Sequence, residues 1–325
     1  VAKAKWFFMA VLVLAAVSRP ALAEDSDLAT ELVDALVKLS GEHPGYRAAH
    51  AKGIVAKGTF EPTRGAALLT KAIHFQGKTI PVTVRFSNST GMPTIPDGSK
   101  QANPHGFAIK FHLPGGQETD VVLNSLKFFP VATGEEFRDM LVALSESPPG
   151  TPSPTKFETF VASHPKVALT SVKTPASFAE EEYRGINAFI FESRTGTKQA
   201  ARYLATPVKT VRLDDAEAEK RPPDFLIEDF KERLAKGPIT FHLQVQLATA
   251  EDSTKDPSTA WPDTNKVVDL GVLTIDTPVE DSESAEKELL FLPGRVIDGI
   301  EPSDDPMIAI RDATYALSFA RRSSP

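Results

Sequence analysis

Alternation is the feature that most limits how this chain can fold. In TIPVTVRFS (79–87), Ile80, Val82, Val84 and Phe86 point one way, while Thr83, Arg85 and Ser87 point the other. In PITFHLQVQLAT (238–249), Ile239, Phe241, Leu243, Val245 and Leu247 alternate with polar residues in the same way. A period of two belongs to strands with one buried face. Further strand-like segments fall at 53–60, 66–74, 106–112, 120–124, 186–192, 198–204, 208–213 and 266–275. Helical spacing marks 27–40, 135–146, 156–170 and 222–235, and a last helix begins near Asp305. So many antiparallel-looking strands with helices between them predict an α+β fold around an antiparallel β-barrel. The Pro-rich SPPGTPSP stretch (147–154) reads as an excursion loop, because strands resume beyond it.

The first 23 residues read as a signal peptide: Lys3 and Lys5, an apolar run from Trp6 to Val17, then Ala21-Leu22-Ala23 as a cleavage site. The remainder, 24–325, is expected to form a single domain with a large core. The whole chain carries a net charge of −7, and removing Lys3, Lys5 and Arg19 makes it more acidic. Such a balance argues against nucleic acid as a partner, and no membrane association is expected once the leader is cleaved. There is no cysteine. That excludes thiolate chemistry, iron–sulfur clusters and haem attached through CxxCH.

HExxH, a P-loop and GxSxG are absent, and the seven histidines lack zinc spacing. Two regions carry possible chemistry. In DDPMIAIRDATYALSFARR, Asp305 can cap a helix and Pro306 suits its first position. At about 100° per residue, Tyr315 lies about 40° from Arg311, and Arg322 about 20° from it. One stripe thus holds a phenol among guanidiniums, which favour the phenolate form that binds metal. Taken alone, it reads more readily as a core tyrosine with two arginine heads reaching solvent. His50 lies in YRAAHAKG with Arg47 one turn upstream. Alone, a histidine there is more often a hydrogen-bonded structural residue.

The motifs together are more specific. RAAHAKG resembles the distal-histidine motif of the haem catalase family, and VRFS (84–87) its following strand. NPHGFAIKF (103–111) is similar to the family's DPRGFAVKF, and DVVLN (120–124) matches the position of its distal asparagine. GIEPSDDPMIAIRDATYALSFARR (299–322) resembles its proximal segment. The resemblance spans about 47–322 and is closest to the small catalase-related peroxidases. It implies a catalase-like barrel with surrounding helices and a C-terminal proximal haem helix.

What the resemblance implies for residues is specific. Tyr315 would be the axial ligand of haem iron, a role known for tyrosine in catalases, with Arg311 holding it as phenolate. Arg47, Arg85 and Arg322 would bind the haem propionates. His50 and Asn124 would act on peroxide, Ser87 would orient His50, and Phe137 would stack near a pyrrole ring. The implied cofactor is haem, of b type. The implied function is peroxidase action on hydrogen peroxide or organic hydroperoxides, with an unidentified electron donor. The alternatives are a true small catalase that disproportionates hydrogen peroxide, and a haem-binding or storage protein without useful turnover. The chain stops soon after Arg322, so a monomer or homodimer is expected in place of the family's tetramer. Asn103 stands where the family's channel acid would be, Asn187 where many catalases have histidine, and Ala49 where valine is common. These departures suggest a more open pocket. Export to the periplasm is expected from the leader.

Overall fold

The alternating segments form one sheet that curls until its ends meet. The computed structural model describes residues 20–323. The chain begins with helix α1 (Pro20–Ser40), strand β1 (Gly53–Pro62) and a short helix α2 (Arg64–Leu69). Strands β2 (Ile80–Ser87), β3 (Gly106–His112) and β4 (Glu118–Asn124) follow, then helices α3 (Gly134–Ser145) and α4 (Lys156–Ser163). Next are β5 (Tyr183–Arg184), β6 (Phe189–Glu192), β7 (Lys198–Pro207), α5 (Asp215–Ala218) and α6 (Phe225–Lys236). The chain continues with β8 (Ile239–Leu247), β9 (Val267–Pro278), α7 (Ser282–Glu288), β10 (Ile300–Pro302) and α8 (Pro306–Ser323). Antiparallel neighbours run β7-β5-β4-β3-β2-β1-β9-β8, and β8 pairs back onto β7. Eight strands thereby close into a barrel, with β6 and β10 extending the sheet outside it.

The inward positions of the alternating strands fill the barrel with aromatic rings. Phe60, Phe86, Phe107, Phe111, Tyr183 and Phe241 are fully buried. Phe86 and Phe107 stack with ring centroids 4.3 Å apart. Each such ring removed from water contributes roughly 1.5–3 kcal/mol before entropy is counted. A second apolar cluster joins α1, α3 and α8 through Leu32, Leu141, Met307 and Ile310. It seats the last helix against the first.

The expected strands at 53–60, 79–87, 106–112, 120–124, 186–192, 198–204, 238–249 and 266–275 are present with small changes of boundary. Residues 66–74 are not a strand. Thr63 caps the helix α2 by accepting from the Ala66 N–H at 3.2 Å, and a 3-10 turn at Ile73–Phe75 follows. Residues 208–213 also stay outside the sheet. They pair with a loop instead, through Val211 N to Glu180 O and Leu213 N to Thr174 O, with one bridge at Arg212. The helix expected over 156–170 breaks at His164, before Pro165, and resumes as a 3-10 turn. Of the leader, residues 1–19 lie outside the described residues, and 20–23 begin α1. Among the described residues no helix is long and apolar enough to cross a membrane.

Candidate active site

Strand register assembles one side of the site. Ser87, at the end of β2, pairs with Gly106 of β3, and Gly106 pairs with Asn124 of β4. These three positions form one row across the sheet. His50 meets this row from the loop before β1. Its Nδ1 lies 3.1 Å from Ser87 Oγ, which fixes the ring's direction. A methyl group on Gly106 would come within 2.8 Å of Ser87 Oγ and 3.0 Å of His50 Nδ1. Gly106 is therefore required by close approach. Asn124 Oδ1 accepts from the Leu126 N–H at 2.8 Å. That bond uses the amide oxygen and leaves the amide N–H groups as its donors.

His50 itself adopts a left-handed backbone, φ 58°. Such a conformation costs roughly 1–2 kcal/mol in a residue other than glycine. Contacts on both sides hold it: its N–H donates to Ser89 O at 2.9 Å, and its carbonyl accepts from Arg85 Nη2 at 2.7 Å. Behind this loop, buried Lys52 bonds the carbonyls of Ile95 and Pro223 and pairs with Asp97, which also accepts from Asn88. The half-buried His50 ring is pushed down to about 4. Burial is the main cause, followed by the Arg85 charge, with Arg311 and Arg47 adding smaller effects and a backbone hydrogen bond to Asn88 opposing them. At neutral pH this imidazole is a free base able to accept a proton.

The other side is built along helix α8. Arg311 Nε donates to the Tyr315 hydroxyl oxygen at 3.1 Å. Arg311 also donates through Nη1 to Asn187 Oδ1, and Asn187 Nδ2 donates to Asp305 Oδ2 at 2.7 Å. Asp305 in turn accepts from the Met307 N–H at 2.9 Å, in the first turn of the helix. Tyr315, Arg311, Asn187 and Asp305 thus form one chain of hydrogen bonds. Tyr315 is half-buried.

Three arginines from distant segments meet beside these groups. Arg85 is buried, and it lies against Gly53, where a Cβ would come within 2.6 Å of its Nη2. It bonds Glu286 Oε2 at 2.7 Å. Arg47 bonds Glu286 Oε2 at 3.3 Å, Glu286 O at 3.0 Å and Leu289 O at 2.8 Å. Arg322, buried at the end of α8, donates to Leu289 O at 2.7 Å. Burial and then the charges of Arg85 and Arg322 push Arg47 well down; burial and then Arg85 push Arg322 down to about 10.

Of the residues singled out in the sequence, His50, Ser87, Asn124, Arg47, Arg85, Arg311, Tyr315 and Arg322 come together in these groups. Phe137 packs differently from the rest. Its ring meets Phe129 at 4.9 Å within the α1–α3–α8 cluster. In the sequence, Gly106 stands out only as part of the NPHGFAIKF motif, and Asn187 only as a departure from the family pattern. Glu286 carries no signal of its own, because EDSESAEKE (280–288) reads as a solvated acidic face. Asp281 caps its helix by accepting from the Ser284 N–H at 2.9 Å. Among the described residues no three His, Asp or Glu side chains gather as a metal site.

Comparison with known proteins bears on the chain as a whole. The family model for catalase matches residues 17–325. A catalase-related peroxidase of Mycolicibacterium paratuberculosis is 38% identical over 90% of this chain and 94% of its own length. One from Synechococcus elongatus is 31% identical over 90% of this chain and 88% of its own length. Among solved structures, a bacterial catalase aligns with a TM-score of 0.76 at 23% identity, over 90% of this chain and 60% of its own. A fungal catalase aligns with a TM-score of 0.77 at 23% identity, over 90% of this chain and 62% of its own. The chain therefore spans about 60% of the length of these two catalases, and their likeness concerns the fold.

Proposed function

The chain belongs to the catalase family, and from that membership we propose a haem peroxidase that uses His50 as its proton-transfer group and Tyr315 as its iron ligand. It is an oxidoreductase acting on peroxide. The family implies haem, and the residues present fit that group. Arg85 Nε and Arg322 Nε are buried without a hydrogen-bond partner among the described residues. Three guanidiniums converge where carboxylates would be bound. A phenol oxygen already accepting from an arginine suits an anionic ligand. The b type is part of this proposal.

The observation that carries the proposal is the position of Arg85. One guanidinium bonds the backbone of His50 and also joins the arginine cluster. The proposed proton-transfer group and the proposed propionate site are therefore tied together. Tyr315 would bind the iron, and Arg47, Arg85 and Arg322 the propionates. When bound, the haem supplies the redox chemistry that cleaves the O–O bond.

This chain's own residues handle the protons. His50, neutral at pH 7, takes the proton from the nearer peroxide oxygen and returns it to the oxygen that departs as water or alcohol. Ser87 holds the ring by its Nδ1, so the other nitrogen, Nε2, meets substrate. Asn124 donates its amide N–H to the charge that develops on peroxide. Arg311 keeps the Tyr315 oxygen paired with a positive charge, while Asn187 and Asp305 keep Arg311 in place. Substrate would be hydrogen peroxide or an organic hydroperoxide, with an unidentified electron donor. Export to the periplasm is proposed from the Lys3, Lys5 and Ala21-Leu22-Ala23 pattern, and cell fractionation tests it.

The deciding experiment records oxygen evolution beside oxidation of a dye donor, with hydrogen peroxide and a bulky hydroperoxide compared. Dye oxidation with little oxygen release is expected. Fast oxygen release with little dye oxidation would instead identify a true catalase.

A further inference from the structure

Glu286 has no role in the chemistry just described, yet it lies at the centre of the arginine cluster. It is on α7, in an acidic stretch, and only 8% exposed. Its Oε2 accepts from both Arg85 and Arg47, and its backbone carbonyl accepts from Arg47 as well. The carbonyl of Leu289, three residues on, accepts from Arg47 and Arg322. Two guanidiniums therefore share the one carboxylate, and a third, Arg322, joins them through the Leu289 carbonyl, so three positive charges gather about one negative. Buried like charges repel unless paired, and removing a lone partner is costly. The depressed values of Arg47 and Arg322 have that origin in part, since neighbouring guanidiniums follow burial among their causes.

The position of α7 is itself fixed. Ser282 Oγ accepts from the Val55 N–H at 2.8 Å, and Glu283 accepts from the Tyr46 hydroxyl at 2.9 Å. The carboxylate is thus brought to the arginines by a helix pinned to β1 and to the His50 loop. It is not a flexible side chain that happened to reach them.

We propose that Glu286 is a resident carboxylate that holds Arg47 and Arg85 together beside Arg322 and competes with the cofactor's propionates for this cluster. The inference rests on the haem reading above. It makes Glu286 a positioning residue that sets the site's preference for a tetrapyrrole with two free carboxylates: the excess of two positive charges is matched by two propionates. Removing the Glu286 charge leaves the arginines less stable when empty and more attractive to anions when filled.

The test uses haem and haem dimethyl ester, whose propionates are neutral, as probes of the same full-length protein. The ratio of the two dissociation constants, read from Soret titrations, isolates the contribution of the propionate charges. In Glu286→Gln this preference for free haem should rise at least about tenfold, as expected for a like charge removed from a few ångströms away. The melting temperature of the haem-free protein should fall more than that of the loaded protein. Glu283→Gln, on the same helix but bonded to Tyr46, should leave the preference unchanged. Glu286→Asp keeps the charge but draws it back from Arg85, so it should fold and raise the preference by a smaller step. An unchanged or lower preference in Glu286→Gln overturns the proposal, as does an equal loss of melting temperature with and without haem. If Glu286→Gln does not fold, no rise in Glu286→Asp overturns it equally. A wild-type protein that gives no Soret complex at all would instead sink the haem reading itself.

Discussion

The two sides of the site are built by different means. The His50 side is a product of sheet register: Ser87, Gly106 and Asn124 share one cross-strand row, and a loop lays His50 against it. The Tyr315 side is a product of helix periodicity plus a chain of side chains, with Arg311, Asn187 and Asp305 linked in series. A row across three strands cannot shift one member without breaking backbone pairing. A helix stripe is fixed only by what its side chains touch. Changes on the first side should therefore strike proton transfer, and changes on the second should strike iron ligation and stability.

The largest effect tests that division on the first side. Replacing His50 with Ala should lower peroxidase turnover by roughly 10²–10⁴-fold, the usual worth of a positioned acid–base group, while haem content stays near that of the wild type. Turnover and Soret absorbance, measured on one preparation, check both halves. Next comes Gly106→Ala, whose new methyl group would press on Ser87 Oγ and His50 Nδ1. A displacement of that kind costs up to about a hundredfold in turnover. Retained activity would mean that the row is not what aims His50.

On the second side, Asn187→Ala should leave Arg311 and Asp305 without their shared partner. The expected loss is about 1–3 kcal/mol of stability, read by denaturant unfolding, with the pH profile of turnover unmoved. A changed pH profile would show that the two sides are not separable. The smallest effect concerns pH. Because His50 is held near 4, below its unfolded value of about 6.5, the neutral base is only about a tenth protonated at pH 5. Turnover should stay nearly flat from pH 8 to 5 and fall through about 4. The sign for stability follows from the same depression. The unfolded chain takes up the proton first, so the contribution is full above about 6.5 and is lost as pH falls from there toward 4. Buried His74 and His105, pushed down to about 3 mainly by burial, extend the same loss further.

What could be read in the sequence followed the same division. The Arg311–Tyr315–Arg322 stripe needs only a helical period, and most barrel strands need little beyond alternation in segments such as 79–87 and 238–249, but the two-residue β5 (Tyr183–Arg184) is too short to show any. The row of Ser87, Gly106 and Asn124 needs a register that is set by long-range pairing, so its members could be named from motifs but not placed side by side. Residues 66–74 and 208–213 misled because an apolar run does not reveal a cap at Thr63 or a loop partner at 174–180. Glu286 was hidden for a further reason. A carboxylate in an acidic run reads as solvated until the fold brings Arg47 and Arg85 to it from more than two hundred positions away.

Ligation by Tyr315 is the central claim, and one spectrum tests it most directly. Wild-type protein loaded with haem, compared with Tyr315→Phe, should give a resonance Raman band from an iron-bound tyrosinate that the variant lacks, together with a shifted Soret maximum. An identical spectrum in the two proteins would contradict the account, because the iron would then be held by some other group.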